Sequence, residues 1–296
     1  MTDPHLAEVI GERRQLINLA YRLLGSLAEA EDAAQETYTR WYALTEQQRE
    51  AIDNPGAWMT TVASRICLDL LGSARARREH YVGDWIPEPV PGGWLDGPGF
   101  APADPADRVT LDESISMAFL VVLDSMTPAE RVSFVLHDIF RFTFPEIADI
   151  VGRTPAACRQ LASNARRRID TSRDHSATER ADLVRSFKEA WESHDIEALV
   201  GLLDPQAVAT ADGGGLALAF LEPISGAEQI AGAWMDIAAR APEVTLQECL
   251  VNGQAGLVGQ VDGATVSVYA FDVADGRITR IWAVRNPEKL GPWRSE

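Results

Sequence analysis

Apolar residues recur every three or four positions through most of the first 172 residues, a spacing typical of amphipathic helices. Gly25 predicts the end of the first helix, and Ser26 with Glu29 forms a capping-box pattern that predicts the start of the second. Asn54-Pro55 is a helix cap followed by a first-turn proline, and it predicts a third helix. The N-terminal part is therefore expected to be all-α.

Residues 81–108 break this periodicity with six prolines and five glycines. Such a composition predicts a linker without regular secondary structure. The linker nevertheless carries Trp85, Trp94 and Phe100, which is more aromatic surface than an idle tether needs. We therefore expect another part of the chain to pack on it.

Helical spacing resumes at Leu111, and Thr127-Pro128 predicts a capped helix. Two further helices are predicted at 144–151 and 154–169, with a tight turn between them at Gly152. In the second of these, one face is apolar and the opposite face carries polar and basic side chains, as in a helix that lies in the major groove of DNA. This predicts a helix-turn-helix; a helical hairpin with a solvated arginine face is the alternative.

After about residue 178 the pattern changes again, to amphipathic helices followed by alternating β-branched stretches. A helix is expected to begin at Ser225. The dipeptides Asn252-Gly253, Asp262-Gly263 and Asp275-Gly276 interrupt the alternating stretches and predict hairpins, because both residue types tolerate a positive φ. The C-terminal part is therefore expected to be an α+β domain with a curled antiparallel meander.

The net charge of −17 argues at first against a nucleic-acid binder. The net charge of the whole chain conceals a local basic segment, since residues 153–173 hold six arginines and one acid. An acidic chain with such a basic segment binds DNA poorly by itself, and a larger partner would have to supply most of the phosphate contacts. The six are Arg153, Arg159, Arg166, Arg167, Arg168 and Arg173.

The composition, 46% hydrophobic and 24% charged, is that of a soluble globular protein. No stretch of about 18 apolar residues occurs, and the N-terminus lacks a secretory pattern, so we expect a cytoplasmic protein without a membrane span. Cys67, Cys158 and Cys249 form no C-x-x-C pair and are expected to be buried hydrophobes. No metal site and no cofactor are predicted.

Two parts of the chain carry recognisable motifs. The first comprises residues 30–38 (AEDAAQETY), 54–58 (NPGAW) and 65–69 (RICLD), and the second comprises residues 127–131 (TPAER), 144–148 (FPEIA) and 166–168 (RRR). They resemble regions 2 and 4, respectively, of the extracytoplasmic-function (ECF) RNA polymerase sigma factors. The two modules occur in the order and at the spacing of that family.

The resemblance implies a sigma factor that binds core RNA polymerase and directs promoter-specific initiation. Region 2 would dock on the polymerase clamp through Asp32, Gln35 and Glu36. It would bind the −10 element through Trp58, Thr60, Thr61, Arg65, Arg75, Arg77 and Arg78. Region 4 would bind the −35 element through Arg153, Thr154, Arg159, Gln160, Ser163, Arg166 and Arg167. From the residues alone, Trp58 could equally be core, and Asp32 with Glu36 a solvated face.

The rest of the chain resembles the SigJ-like subgroup, which has a fused SnoaL-like (NTF2-like) domain. The matching motifs are Trp85-Ile86-Pro87-Glu88-Pro89, Asp212-Gly213-Gly214-Gly215 and Asn286-Pro287-Glu288-Lys289-Leu290. Leu216 stands where the subgroup often has a lysine. From this we expect regulatory contacts at Trp85, Pro87, Glu88, Pro89, Asp212, Gly213, Gly214, Gly215, Asn286, Pro287, Lys289 and Leu290.

The predicted order is a region 2 domain at 1–80, a linker at 81–110, a region 4 domain at 111–174 and a cone-shaped SnoaL-like domain at 178–296. We expect the last domain to regulate the sigma factor in cis, without a separate anti-sigma protein. A polymerase-independent helix-turn-helix regulator and a SnoaL-like enzyme or ligand sensor are the alternatives. An acid–base pair would have to come from Asp212, Asp236, Tyr269 or Arg285, but nothing in the sequence places any two of them on a reacting centre, so no catalytic residue is assigned. Phe187, Trp191, Trp234 and Trp282 are expected in the core or around an unidentified small ligand.

Overall fold

The computed structural model describes residues 4–78, 81–92, 115–169 and 177–294, and it describes no side chains for 4–12 and 74–78. The chain divides into two compact units. The second unit comprises residues 80–92, 116–118 and 172–296, and the first comprises the remainder. Trp94, Phe100 and Arg173 of the sequence-based predictions lie outside the described residues.

The described residues up to 169 form helices and their connections, as the periodicity predicts. Their bounds are α1 Pro4–Leu24, α2 Leu27–Ala43, α3 Glu46–Glu50, α4 Pro55–Arg78, α5 Met117–Asp124, α6 Pro128–Phe134, α7 Phe144–Val151 and α8 Pro155–Ile169. A single π-helical turn, Val135–Ile139, extends α6.

The predicted caps are confirmed where the structure describes them. Gly25 has a φ of 70°, in the left-handed region that ends a helix. The hydroxyl of Ser26 accepts a hydrogen bond from the backbone N–H of Glu29. A full capping box joins Thr127 and Glu130. The short helix α3 was not predicted, although Thr45 and Gln48 form the same kind of capping box in front of it.

One buried arginine ties the two helical modules of the first unit together. Arg131, in α6, is 3% exposed. Its Nη1 donates to the carbonyl of Leu23 in α1 over 2.8 Å. Its Nη2 lies 2.9 Å from a carboxylate oxygen of Asp124 in α5. The module of residues 10–77 and the module of residues 116–169 therefore share an interface within this unit.

The second unit is an α+β domain built on a six-stranded sheet. Its helices are α9 Ala177–Glu192, α10 Ile196–Leu202 and α11 Ala227–Arg240. Its strands are β1 Leu203–Asp212, β2 Ile224–Ser225, β3 Thr245–Val251, β4 Gln254–Val261, β5 Ala264–Ala274 and β6 Arg277–Val284, in the sheet order β2-β1-β6-β5-β4-β3. The helices pack on the sheet around a core that includes Phe187, Trp191 and Trp234. This is the α+β class expected for a SnoaL-like domain.

The three predicted hairpins are confirmed. Asn252-Gly253 connects β3 to β4, Asp262-Gly263 connects β4 to β5, and Asp275-Gly276 connects β5 to β6. All six residues have positive φ values between 50° and 79°. This is the backbone of two-residue type I′ turns, whose twist matches that of the strands.

The predicted antiparallel meander is formed by β3, β4, β5 and β6, which pair in consecutive order. The sheet as a whole is mixed, because β1 runs parallel to β6, with Ala209 opposite Ile281. One prediction for this domain was wrong in detail. The helix expected to begin at Ser225 begins at Ala227. Ser225 instead pairs with Val208 as the last residue of β2, and Gly226, with a φ of 98°, turns the chain into the helix.

Candidate functional site

The helix α8 presents the candidate DNA-reading face. Cys158, Ala162 and Ala165 are fully buried and fix one side of the helix on its own module. Arg159 and Gln160 are exposed on the opposite side, close to the N-terminal end. This is the arrangement that a helix needs to place side chains on base edges in a major groove.

An aromatic stack positions Arg159. Its guanidinium carbon lies 5.1 Å from the ring centroid of Phe144, the first residue of α7. The ring of His137 lies 4.1 Å from the same phenyl ring, at 28° to it. The imidazole is itself held, because its Nδ1 lies 2.9 Å from the carbonyl oxygen of Phe142. Such a cation–π contact restricts the guanidinium without removing its N–H donors from solvent.

Farther along the same face, Asn164 joins two of the predicted DNA contacts. Its Oδ1 accepts hydrogen bonds from Nε2 of Gln160 over 2.9 Å and from Nη2 of Arg167 over 2.5 Å. Asn164 was not among the predicted DNA contacts. The signal was present in the spacing, since it lies four residues after Gln160 and three before Arg167, and such residues are neighbours on a helix surface.

Arg166, one of the residues expected at the −35 element, also has a contact within the first unit. Its Nε and Nη2 form a two-point ion pair with the carboxylate of Asp138, at 2.6 and 3.1 Å. A guanidinium held in this way braces α8 against the π-helical turn. Arg168 likewise donates to the carbonyl of Ser125 over 3.3 Å. The hydroxyl of Thr154 caps α8 by accepting from the N–H of Ala157.

On α2, the three residues expected to dock on polymerase are all exposed. Asp32, Gln35 and Glu36 lie one turn apart on the side opposite the buried Ala33, Ala34 and Thr37. Glu36 forms an exposed ion pair with Arg40 at 3.0 Å. The face is therefore polar and open to a protein partner.

The residues predicted to contact the −10 element differ in their exposure. Trp58 is half-buried, and its ring centroid lies 5.3 Å from that of Trp41. This aromatic contact was not predicted. Thr60 is 5% exposed, and its hydroxyl donates to the carbonyl of Gly56. Thr61 is half-buried.

Arg65 of α4 is exposed, and its Nη2 donates to the carbonyl of Asp149 in α7 over 3.0 Å. Arg65, which is predicted to contact the −10 element, is thus hydrogen-bonded to the first helix of the helix-turn-helix. The side chains of Arg75, Arg77 and Arg78 lie outside the described residues.

The second unit holds the predicted regulatory residues, and Asp212 is their centre. Its carboxylate is fully buried at the end of β1. One carboxylate oxygen accepts from the hydroxyl of Tyr81 over 2.6 Å and from the N–H of Gly214 over 3.1 Å. The other accepts from the N–H of Ile86 over 3.0 Å. Two linker residues are thereby attached to this strand.

Lys289 completes this cluster from the C-terminal side. Its ammonium lies 2.6 Å from the carboxylate of Asp212 and 2.5 Å from the carbonyl oxygen of Ile86. The ring centroid of Trp85 is 4.2 Å from the same nitrogen, and that of Tyr81 is 5.1 Å away. We call Tyr81, Trp85, Ile86, Asp212 and Lys289 the linker clasp.

Asn286 extends the clasp, since its Nδ2 donates to the hydroxyl of Tyr81 over 2.8 Å. Burial and the hydrogen bond to Asp212 raise the pKa of Tyr81 well above its ordinary value, so the phenol keeps its proton. Gly214 has a φ of 60°, and a Cβ there would meet the amide of Asn286. The close approach explains why glycine is required at this position.

Beyond the clasp, the linker pairs with the edge of the sheet. Asn252 donates its backbone N–H to the carbonyl of Val90 and accepts from the N–H of Val90 through its side chain. The backbone N–H of Gly92 donates to the carbonyl of Leu250, which lies two residues before Asn252 on that edge. The indole N–H of Trp293 donates to the carbonyl of Pro89 over 2.8 Å. Residues 86–90 are buried as a result.

Each of the four residues considered for acid–base chemistry has a contact in the fold, and that of Arg285 is a hydrogen bond to the carbonyl of Leu218. Asp212 belongs to the clasp, and Asp236 is exposed on α11, 3.7 Å from Arg240. Tyr269 is buried against Trp191 and Trp234 in the aromatic core. The expected lining residues Phe187, Trp191 and Trp234 are core residues of this domain, and Trp282 is buried.

Within the described ranges, no cluster of three or more histidine, cysteine or acidic side chains could hold a metal ion. No helix in those ranges is both long and apolar enough to cross a bilayer.

The model of the Sigma-70 region 2 family matches residues 10–77, and the model of Sigma-70, region 4 matches residues 116–169. The chain is 37% identical over 294 residues to the ECF RNA polymerase sigma factor SigJ of Mycobacterium tuberculosis strain H37Rv. That match covers 94% of this chain and 90% of the relative. The probable ECF RNA polymerase sigma factor SigI of the same species is 35% identical, with 99% and 97% covered. The crystal structure of the M. tuberculosis SigJ matches with a TM-score of 0.76, at 33% identity, and covers 97% of this chain and 98% of that one.

Proposed function

Because the chain belongs to the ECF RNA polymerase sigma factors, we propose that its second unit regulates promoter-directed initiation in cis by holding the linker between regions 2 and 4. The observation that carries this proposal is the linker clasp. Asp212 and Lys289, which lie 77 residues apart in the chain, meet on the linker segment that follows region 2. A separate anti-sigma protein is then not needed for this control.

The clasp has the physical features of a specific attachment. A buried ion pair is strongly destabilised when one partner is lost, so Lys289 and Asp212 depend on each other. The linker supplies an N–H donor, a carbonyl acceptor and an aromatic face to this pair, through Ile86 and Trp85. When the linker leaves, both charges lose those partners. The state with the linker attached and the state with the linker released therefore differ in free energy. A regulatory switch needs two such states.

We assign the DNA and polymerase contacts as follows. The exposed face of α8 binds the −35 element, with Arg159 and Gln160 near base edges. Asp32, Gln35 and Glu36 on α2 dock on core polymerase at its clamp. Trp58, Thr61 and Arg65 contact the −10 element, and the adjacent Trp41 gives Trp58 an aromatic neighbour on which an unstacked base can lie.

The internal contacts of the first unit suggest how regulation reaches DNA. Arg65 is bonded to the carbonyl of Asp149 on the helix-turn-helix, and Arg131 joins α6 to α1. The hydrogen bond of Arg65 to Asp149 uses one of the five N–H groups of its guanidinium. Separation of regions 2 and 4 would release this donor for a contact with DNA.

The test is reconstitution of the full-length chain with bacterial core RNA polymerase. We expect a stable complex that initiates at a promoter selected from a random library. The double variant Asp32→Ala/Glu36→Ala is expected to reduce association at least about tenfold, while Glu197→Ala, an exposed acid on α10, leaves it unchanged. If the wild-type chain binds promoter DNA but never binds core enzyme, it is a polymerase-independent regulator and the proposal fails.

A further inference from the structure

The outer face of α8 carries a short chain of hydrogen bonds that the general role of this helix does not explain. It runs from Arg167 through Asn164 to Gln160, with donor–acceptor distances of 2.5 and 2.9 Å. Gln160 and Arg167 are exposed, and Asn164 lies half-buried between them. On this face polar side chains are expected to meet water or DNA, yet here three of them bind one another.

The chemistry of arginine fixes the orientation of every group in this chain. A guanidinium has only donors, so the atom of Asn164 that faces Arg167 must be its oxygen. That oxygen then faces Gln160 as well, and only the amide nitrogen of Gln160 can donate to it. The position of one cation thus decides which way a neutral amide two turns away is turned.

The outcome for Gln160 is a defined set of outward groups. One N–H of its amide is used by Asn164, which leaves one N–H donor and the carbonyl acceptor Oε1 for a partner. In the major groove, a glutamine amide that presents one donor beside one acceptor complements N7 and N6 of adenine. A freely rotating glutamine would present these groups in either order.

We propose that Asn164 is a specificity-determining residue, which holds Gln160 in the orientation that selects adenine in the −35 element. Arg167 is the positioning residue that holds Asn164. This inference rests on the proposed role of α8 in promoter binding. It assigns to Arg167 an effect on one base position, whereas a phosphate contact would contribute equally to every sequence.

The experiment uses full-length chain with core polymerase and a promoter library in which the −35 element is randomised. Sequencing the transcribed promoters gives the base preference at each position. We expect a preference for adenine at one position that Gln160→Ala abolishes. Asn164→Ala should reduce that preference about fivefold or more and leave the other positions unchanged.

Three further variants separate positioning from simple loss of contact. The double variant Gln160→Ala/Asn164→Ala should match Gln160→Ala at the selected position, because Asn164 acts through Gln160. Arg167→Ala should also weaken that one preference. Asn164→Asp keeps the acceptor oxygen, so it should retain the preference while its added negative charge lowers binding equally on all sequences.

The failures of the two proposals are distinguishable. If the wild-type chain shows no base preference at any −35 position, α8 does not read the promoter and the proposed function fails. If the wild type selects a −35 sequence but Asn164→Ala and Arg167→Ala lower binding equally on all sequences, the hydrogen-bond chain has no role in selectivity and this inference is overturned.

Discussion

The ammonium of Lys289 lies 2.6 Å from the carboxylate of Asp212, in a place where the two side chains are 10% and 0% exposed. Few ion pairs of a folded protein are so completely removed from water. The same two groups bind the N–H and the carbonyl of Ile86 in the linker. An ion pair of the C-terminal domain and the path of the linker are therefore one structural feature.

Replacement of Lys289 by methionine should destabilise the C-terminal domain strongly. The side chain keeps its approximate length, but Asp212 loses its cation in a buried place, which typically costs about 3–5 kcal/mol. Urea unfolding followed by tryptophan fluorescence measures the change. The only other lysine of the chain, Lys188, provides the control. It lies 3.8 Å from Glu192, and its side chain is 24% exposed, so Lys188→Met should cost about 1 kcal/mol or less.

The same two lysines allow a chemical test of the clasp. An amine-acetylating reagent should modify Lys188 rapidly and Lys289 slowly in the native protein, because the Lys289 ammonium is enclosed by Asp212, Ile86 and Trp85. Mass spectrometry of peptides after brief labelling gives both rates. Tyr81→Phe, which removes one hydrogen bond to Asp212, should increase the rate at Lys289 alone. Equal labelling of the two lysines in the wild type would contradict an enclosed ammonium.

A glycine pair separates backbone strain from steric conflict. Gly214 and Gly276 have φ values of 60° and 72°, so alanine at either position costs about 1 kcal/mol for the left-handed backbone. A Cβ on Gly276 meets nothing within 4 Å, whereas one on Gly214 would overlap the amide of Asn286. Gly214→Ala should therefore be the more destabilising change in a urea titration. The prediction fails if the two variants unfold at the same midpoint.

The cysteines should respond weakly to thiol reagents in the native state. Burial raises the pKa of Cys67 and Cys158, and it raises the pKa of Cys249 from its ordinary 9.0 to about 12. At pH 8 alkylation should be slow until denaturant is added. Since the folded state keeps protons that the unfolded state releases, stability should fall as the pH rises from 9 towards 12. Substitution of Cys249 by alanine should reduce that fall.

Local sequence rules predicted most of the secondary structure because the signals were themselves local. The hairpins at residues 252–253, 262–263 and 275–276 follow from the φ preferences of two adjacent residues. The cap at Thr127 needs only a partner three residues away. The pairing of β1 with β6 could not be obtained in this way, because it joins strands more than 60 residues apart and depends on the packing of the whole domain.

The candidate sites likewise include features with a local sequence signal and features without one. A resemblance selected Asp212, Lys289 and the linker motif, but no spacing in the sequence indicates that one carboxylate binds Tyr81, Ile86 and Lys289 together. A run of identical residues did not predict identical contacts. Arg166 and Arg167 are adjacent, yet one pairs with Asp138 and the other faces outward to Asn164, because successive helical residues point in directions about 100° apart.

The central claim is that attachment of the linker to the C-terminal domain controls initiation. The most direct measurement is the rate of transcript formation by core polymerase with full-length wild type, Lys289→Met, Tyr81→Phe and Lys188→Met on one selected promoter. We predict a change of about fivefold or more for Lys289→Met, a smaller change in the same direction for Tyr81→Phe, and none for Lys188→Met. Identical rates for all four proteins, with labelling showing an exposed Lys289 in the Tyr81→Phe variant, would contradict the claim.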